Sequence, residues 1–155
     1  MTARDEVTRM ATVTDVAHYF LDIQDEEAGE LITNLKLQKL VYYAQGFHLA
    51  MFDKPLFPEK IKAWAHGPVV PQLWYEYKDR GSNPLDRPTN FDPSVFSEEQ
   101  RELLDEVYQE YGQYSAWRLR DMTHHEPPWM VAFSSGEDNP ISQASMKDYF
   151  KTRLV

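Results

Sequence analysis

An apolar stripe between residues 33 and 52 constrains the fold of this chain more than any other feature. The apolar side chains recur at steps of three and four residues, which is the spacing of one face of an α-helix. The stripe consists of Leu37, Leu40, Val41, Ala44, Phe47, His48 and Met51. We predict a helix from Thr33 or Asn34 to about Phe52, ended by Asp53-Lys54-Pro55. Further apolar residues widen the stripe, so this helix should be central.

Three residues of this central helix carry specific expectations. His48 lies on the apolar face, which predicts a core or hydrogen-bonded histidine. Lys39 is expected to bury its aliphatic stem and expose its ammonium group, in a structural rather than a catalytic role. Gly46 costs the helix about 1 kcal/mol relative to alanine. We expect the close approach of another backbone to compensate for that cost.

Apolar periodicity and capping residues predict the other helices. One begins at Thr14 and closes at Gly29, and another runs from Pro71 to Gly81. Ser97 and Gln100 form a capping box that opens a helix ended by Gly112. The remaining predictions are a helix capped by Ser115 that ends near His124, a short turn or helix from Pro127, and a last helix capped by Ser142 or Ser145.

Alternating residues at 61–65 predict a short strand, paired with Leu56-Phe57, while residues 67–71 form a stiff connector. The predicted fold class is therefore mainly α, a compact single-domain bundle of about six helices with a small two-stranded β-ribbon. Residues 1–11 are predicted to be a flexible N-terminal lead-in, in which Met10 is an alternative translation start. Residues 12–155 should form the helical domain.

The acidity of the chain bears on its partners. Its 155 residues hold 25 Asp and Glu against 16 Lys and Arg, a net charge of −9. Nucleic-acid-binding domains are usually basic, so direct nucleic-acid binding is disfavoured. The charge is concentrated in residues 15–30 and 97–111, which carry −6 and −5. Each segment is either a solvated helix face or a docking surface for a basic protein.

Several kinds of chemistry are disfavoured by what the sequence omits. With no cysteine, the chain has no disulfide, thiolate zinc site or thiol nucleophile. Its six isolated glycines build no phosphate-binding loop. No apolar run approaches the ~18 residues of a membrane span, and no signal peptide is visible. We therefore expect a cytoplasmic protein without a cofactor.

The strongest enzymatic candidate is a set of histidines beside a glutamate. His124, His125 and Glu126 are adjacent, and His66 could join them to bind zinc or transfer protons. Adjacent histidines on a helix point about 100° apart, which makes joint ligation difficult. The simpler interpretation is a helix C-terminus, where histidine is favourable. A small hydrolase based on His66, His124 and Glu126 remains an alternative.

The aromatic residues are candidates for a protein interface, because buried aromatic rings supply much of the binding energy there. Trp64 and Tyr75 flank the stiff connector and are the preferred exposed pair. Core packing remains the alternative for each ring. The predicted partner-binding residues are Trp64, His66, Pro68, Val70, Tyr75, His124 and Trp129.

Two ordered motifs connect the chain to a known family. The first is residues 37–50, LQKLVYYAQGFHLA, and the second is Ala63-Trp64 followed by residues 66–71, HGPVVP. Weaker later pieces are Tyr111-Gly112, Ser115-Ala116, Thr123-His124 and Pro128-Trp129. From about Ala11 to Phe150 the chain resembles the Panacea domain of SocA-like antitoxins and phage-associated proteins. Phe47 stands where family members often have tryptophan.

The resemblance implies a mainly helical antitoxin that neutralises a cognate protein toxin by direct binding, in a toxin–antitoxin system of a prophage or of phage defence. In the SocA branch the antitoxin instead acts as an adaptor that delivers its toxin to an AAA+ protease. No catalytic residue is implied. The toxin and the oligomeric state stay open.

Overall fold

The computed structural model describes residues 10–25, 27 and 31–154. Within these ranges lie seven α-helices and three short strands, and the predicted mainly helical class is confirmed. The elements are α1 (Val13–Ile23), α2 (Asn34–Phe52), β1 (Lys62–Trp64), β2 (Gly67–Val69), α3 (Pro71–Tyr77), α4 (Glu98–Tyr111), α5 (Ala116–Thr123), α6 (Pro127–Ser134), β3 (Asn139–Pro140) and α7 (Gln143–Lys151). Short 3₁₀ turns occupy Lys78–Arg80 and Pro93–Val95. None of the helices in these ranges is long and apolar enough to cross a membrane.

Helix α2 is the centre of the fold, as predicted. Helices α1, α4, α5 and α7 all pack against it. Thr33 caps its first turn, and Asp53 ends it in a left-handed conformation with φ of 62°. His48 is buried, as predicted, with Nδ1 2.7 Å from the Lys54 carbonyl oxygen. The apolar stripe therefore serves as the common core for the surrounding helices.

The capping residues are largely those expected from the sequence. Ser97 and Gln100 form the predicted capping box, and Ser115 and Ser142 cap α5 and α7. The first helix differs, because Thr12 rather than Thr14 is its cap. It ends at Ile23, and Gly29, the predicted end, lies outside the described residues. Most of the predicted lead-in, residues 1–9, also lies outside them.

The β-structure corrects the predicted ribbon. Strand β1 pairs antiparallel with β2 on one side and with β3 on the other, so the sheet has three strands. Leu56-Phe57 is not a strand, because the Gln45 side chain satisfies its backbone. The Gln45 Oε1 accepts from the amides of Leu56 and Phe57 at 2.7 and 3.4 Å. Its Nε2 donates to the Phe57 carbonyl at 2.8 Å. The predicted connector instead contributes strand β2.

The expectation for Gly46 is corrected as well. The group that approaches Gly46 is the Phe150 ring of α7 rather than a backbone, and a Cβ at position 46 would overlap that ring. Phe150 is fully buried, with its ring centroid 4.8 Å from that of Phe47. Gly46 thus allows α7 to pack closely on the central helix.

Candidate partner-binding site

Six side chains form a surface that we call the aromatic surface. They come from the β1–β2 hairpin and from the helices that follow it. Trp64 belongs to β1, and His66 to the turn before β2. Tyr75 belongs to α3, Trp117 to α5 and Trp129 to α6, while His124 is the residue that ends α5. The fold thus gathers five of the predicted partner-binding residues, whose sequence positions span more than sixty residues.

Trp64 holds one end of the aromatic surface together. Its ring meets Trp74 and Tyr75 edge-on, at centroid distances of 6.3 and 6.4 Å. Its Nε1 donates to Asp138 Oδ1 at 2.9 Å. Trp64 itself is half-buried, whereas Tyr75 is 60% exposed. A shallow cavity of about 680 Å³ lies beside these two rings.

Trp129 joins the sheet to the last turns of α5. Its indole Nε1 donates to the Trp64 carbonyl at 2.8 Å. The His124 ring stacks on it at 4.1 Å, and Phe133 stacks at 4.6 Å. Trp129 is only 8% exposed, so it acts mainly as a support for the rings around it. Its hydrogen bond fixes the position of α6 relative to β1.

Trp117 forms the other end of the aromatic surface and is not among the predicted partner-binding residues. The Trp117 side chain is 57% exposed. Arg120, one turn later, places its guanidinium 4.5 Å from the Trp117 ring centroid, in cation–π range. The Arg120 Nε also donates to His66 Nδ1 at 3.2 Å. The spacing of three residues between Trp117 and Arg120 could have indicated this pair.

Pro68 and Val70 lie beneath the surface rather than on it, since both are buried. The Val70 amide donates to Gln38 Oε1 at 3.0 Å. The Pro68 carbonyl accepts from Lys39 Nζ at 3.0 Å. These contacts tie β2 and the residue that follows it to the central helix. The two residues therefore position the exposed rings without being accessible to a partner.

Lys39 is fully buried, which corrects the prediction of an exposed ammonium group. Its Nζ is close to Gly67 as well as bonded to Pro68, so the β1–β2 hairpin covers it. Burial, together with the nearby charge of Arg120, lowers the pKa of Lys39 to about 7. No local pattern reveals this burial, because the cover comes from Gly67 and Pro68, which are distant from Lys39 in the sequence.

Glu126 is the acid in the alternative prediction of a hydrolase, but the structure places it in the core, hydrogen-bonded to two tyrosines. Tyr42 donates to one carboxylate oxygen at 2.9 Å and Tyr43 to the other at 2.7 Å. Burial raises the pKa of Glu126 to about 7, although the two tyrosine hydrogen bonds oppose the shift. The pKa values of both tyrosines are raised by burial and by this carboxylate. Both carboxylate oxygens are thus held by tyrosine rather than by histidine.

The histidines occupy separate environments. His66 bonds Arg120, and His125 Nδ1 lies 2.8 Å from the Asp121 carbonyl. His124 ends α5, as the simpler interpretation predicted, and burial lowers its pKa. Its Nε2 is buried without a hydrogen-bond partner among the described residues. Among the described residues, no group of three histidine, aspartate or glutamate side chains could hold a metal ion.

Comparison with known proteins gives one match. Residues 37–130, more than half of the 155-residue chain, match a family described as "Antitoxin SocA-like, Panacea domain". The matched range begins inside α2 and ends inside α6, so it includes all six residues of the aromatic surface. No curated protein and no solved structure gives a significant match.

Proposed function

The chain belongs to the SocA-like antitoxin family of the Panacea domain, and from this membership we propose that it is the antitoxin of a toxin–antitoxin pair. It neutralises a cognate protein toxin in the cytoplasm by binding it directly. The family match over residues 37–130 is the observation that carries the proposal. The role is non-enzymatic and needs no cofactor.

The aromatic surface is the contact that we propose for the toxin. Tyr75 and Trp117 are exposed to 60% and 57%, and a partner that buries such rings gains binding energy from them. Trp64, His66, His124 and Trp129 flank or support these two rings. Beneath them, Lys39 donates a hydrogen bond to Pro68 of β2, and Gln38 accepts one from the Val70 amide that follows β2. A surface that is already ordered loses little conformational entropy on binding, which favours affinity.

The placement of the ionisable side chains supports a binding role over catalysis. Glu126 is engaged by two tyrosines and Lys39 by a backbone carbonyl, both inside the core. A general acid or base must instead be within hydrogen-bond reach of its substrate. These groups therefore serve the architecture that supports the aromatic surface.

Co-expression with the protein encoded by the adjacent gene tests the proposal. We expect the adjacent gene alone to arrest growth, and we expect this chain to restore growth when the two are expressed together. Comparable toxin levels in both cultures, checked by immunoblot, make the growth readout specific to neutralisation. A harmless neighbouring gene, or arrest that persists in the presence of this chain, would contradict the proposal.

A second candidate is an adaptor that delivers the toxin to an AAA+ protease, favoured by the SocA-like character of the matched family. The two roles differ in the fate of the toxin. An adaptor shortens the half-life of the toxin in a chase experiment, whereas a masking antitoxin leaves it unchanged or lengthens it. A half-life that does not shorten excludes the adaptor role.

A further inference from the structure

A groove separate from the aromatic surface runs between α2, α4 and the residues after α7. It has a volume of about 610 Å³, within the range of ligand-binding clefts. Its apolar lining includes Phe47 of α2 with Leu103 and Val107 of α4. Met51 and Leu154 stand at its edges and are 48% and 42% exposed. An apolar side chain entering the groove would be enclosed by these residues.

The polar lining of this groove is mainly acidic, and we call it the acidic groove. Glu106 and Glu110 line it, four residues apart on α4 and both exposed. Like charges at this spacing repel each other, so a cation between them would be favoured. Arg153 is the cation among the lining residues. The three ion pairs formed between described residues involve no carboxylate of α4.

We propose that the acidic groove binds a basic amphipathic segment of the partner protein, with an apolar side chain over Val107 and Lys or Arg beside Glu106 and Glu110. Charge complementarity selects this occupant, because the groove combines an apolar floor with two glutamates against one arginine, and neither glutamate forms an ion pair with another described residue. The identification of the partner as a toxin rests on the proposed function. The proposal that the groove binds a basic amphipathic segment is independent of that function.

A designed peptide tests the groove directly. The probe is a 14-residue helical peptide with leucine on one face and lysine elsewhere, titrated by isothermal titration calorimetry. Its counterpart carries glutamate in place of lysine. We expect the lysine peptide to bind the wild-type chain and the glutamate peptide to bind at least tenfold more weakly. Absence of lysine-peptide binding, or equal binding of the two peptides, overturns the proposal.

Charge reversal of the two glutamates tests whether the lysine peptide binds in the acidic groove. The double variant Glu106→Lys, Glu110→Lys should weaken lysine-peptide binding at least tenfold. The matched control is Glu76→Lys, Asp79→Lys, which changes the net charge equally at exposed positions outside the groove. It should change the affinity less than threefold, and circular dichroism checks that both variants are folded. Equal losses in the two double variants would mean non-specific attraction and overturn the proposal.

The protein encoded by the adjacent gene supplies a separate arm. If it fails to bind the wild-type chain while the lysine peptide binds in the groove, the proposed function fails and the groove stands. If it binds the wild-type chain and the lysine peptide does not, the groove proposal alone fails. If both bind and Glu106→Lys, Glu110→Lys weakens both, the toxin contributes the basic segment.

Discussion

Lys39 and Glu126 show how single residues serve this fold. Each is buried, and each has hydrogen-bond partners within the core: the Pro68 carbonyl for Lys39, and Tyr42 and Tyr43 for Glu126. Burial moves both pKa values to about 7, downward for the lysine and upward for the glutamate. Such shifts are frequent at catalytic sites but also arise in structural networks. The hydrogen-bond partners of Lys39 and Glu126 belong to the core, so we attribute both shifts to a structural network.

The Glu126 shift predicts a pH dependence of stability. Between its ordinary pKa of 4.5 and about 7, the folded chain keeps the Glu126 proton while the unfolded chain releases it. The folded state then binds more protons, so the free energy of unfolding falls as pH rises through this window. The contribution is on the order of 3 kcal/mol. Urea titrations of Glu126→Gln between pH 4.5 and 7 should lack this part of the fall.

Lys39→Met is the matched contrast. Between pH 7 and 10.5 the unfolded chain binds the Lys39 proton and the folded chain does not, so the free energy of unfolding rises with pH. The methionine variant should lose that rise but keep the fall below pH 7. If both variants show the wild-type profile throughout, the two buried groups do not control its pH dependence.

At the scale of elements, α2 organises the fold through its polar residues as well as its apolar ones. Gln38 and Lys39 hold strand β2, and Gln45 holds the backbone at Leu56 and Phe57. Helix α7 packs on the same helix at Gly46. One helix thus fixes β2, which supports the aromatic surface, and contributes Phe47 and Met51 to the acidic groove.

The packing of α7 on α2 predicts the effect of filling Gly46. A methyl group there overlaps the Phe150 ring, and overpacking of this kind costs about 1–3 kcal/mol, beyond the gain in helix propensity from alanine. We expect Gly46→Ala to lower the free energy of unfolding, measured in urea. Combined with Phe150→Leu, it should cost less than the sum of the two single variants. Strict additivity would show that the two sites are not in contact.

The sequence predicted helices better than strands, for a physical reason. Helices are defined by local periodicity and caps, such as Ser97 with Gln100, which a sequence displays directly. The partners of β1 depend on distant residues, and β3 is only two residues long. Leu56-Phe57 resembled a strand, but its backbone bonds to a side chain of α2, which no local pattern reveals.

For the candidate site, the sequence predicts most of the residues but not which of them are exposed. The stiff connector predicts Trp64 and Tyr75 as an exposed pair; Tyr75 is exposed, whereas Trp64 is half-buried. The prediction that Pro68 and Val70 contact a partner is wrong about their exposure, because both are buried against α2, and no local pattern reveals that packing. Trp117 was not selected, since its exposure depends on how α5 packs against the hairpin. Which faces are accessible is a property of the assembled helices.

At the scale of the whole molecule, the net charge of −9 is concentrated in two segments, residues 15–30 and 97–111. Part of the acidic segment at residues 15–30 lies outside the described residues. The segment at 97–111 forms α4, whose Glu106 and Glu110 line the acidic groove. The aromatic surface includes the cation Arg120. The molecule therefore has two surfaces of different chemistry, one aromatic and one acidic, and we propose both as partner contacts.

Direct binding of the adjacent gene's protein product to the aromatic surface is the central claim, and calorimetric titration of the two purified proteins tests it most directly. We predict saturable binding by the wild-type chain, at least tenfold weaker binding by Trp117→Ala, and nearly unchanged binding by Met10→Ala, which truncates another exposed apolar side chain. Absence of binding by the wild-type chain, or equal affinities for wild type and Trp117→Ala, would contradict the account.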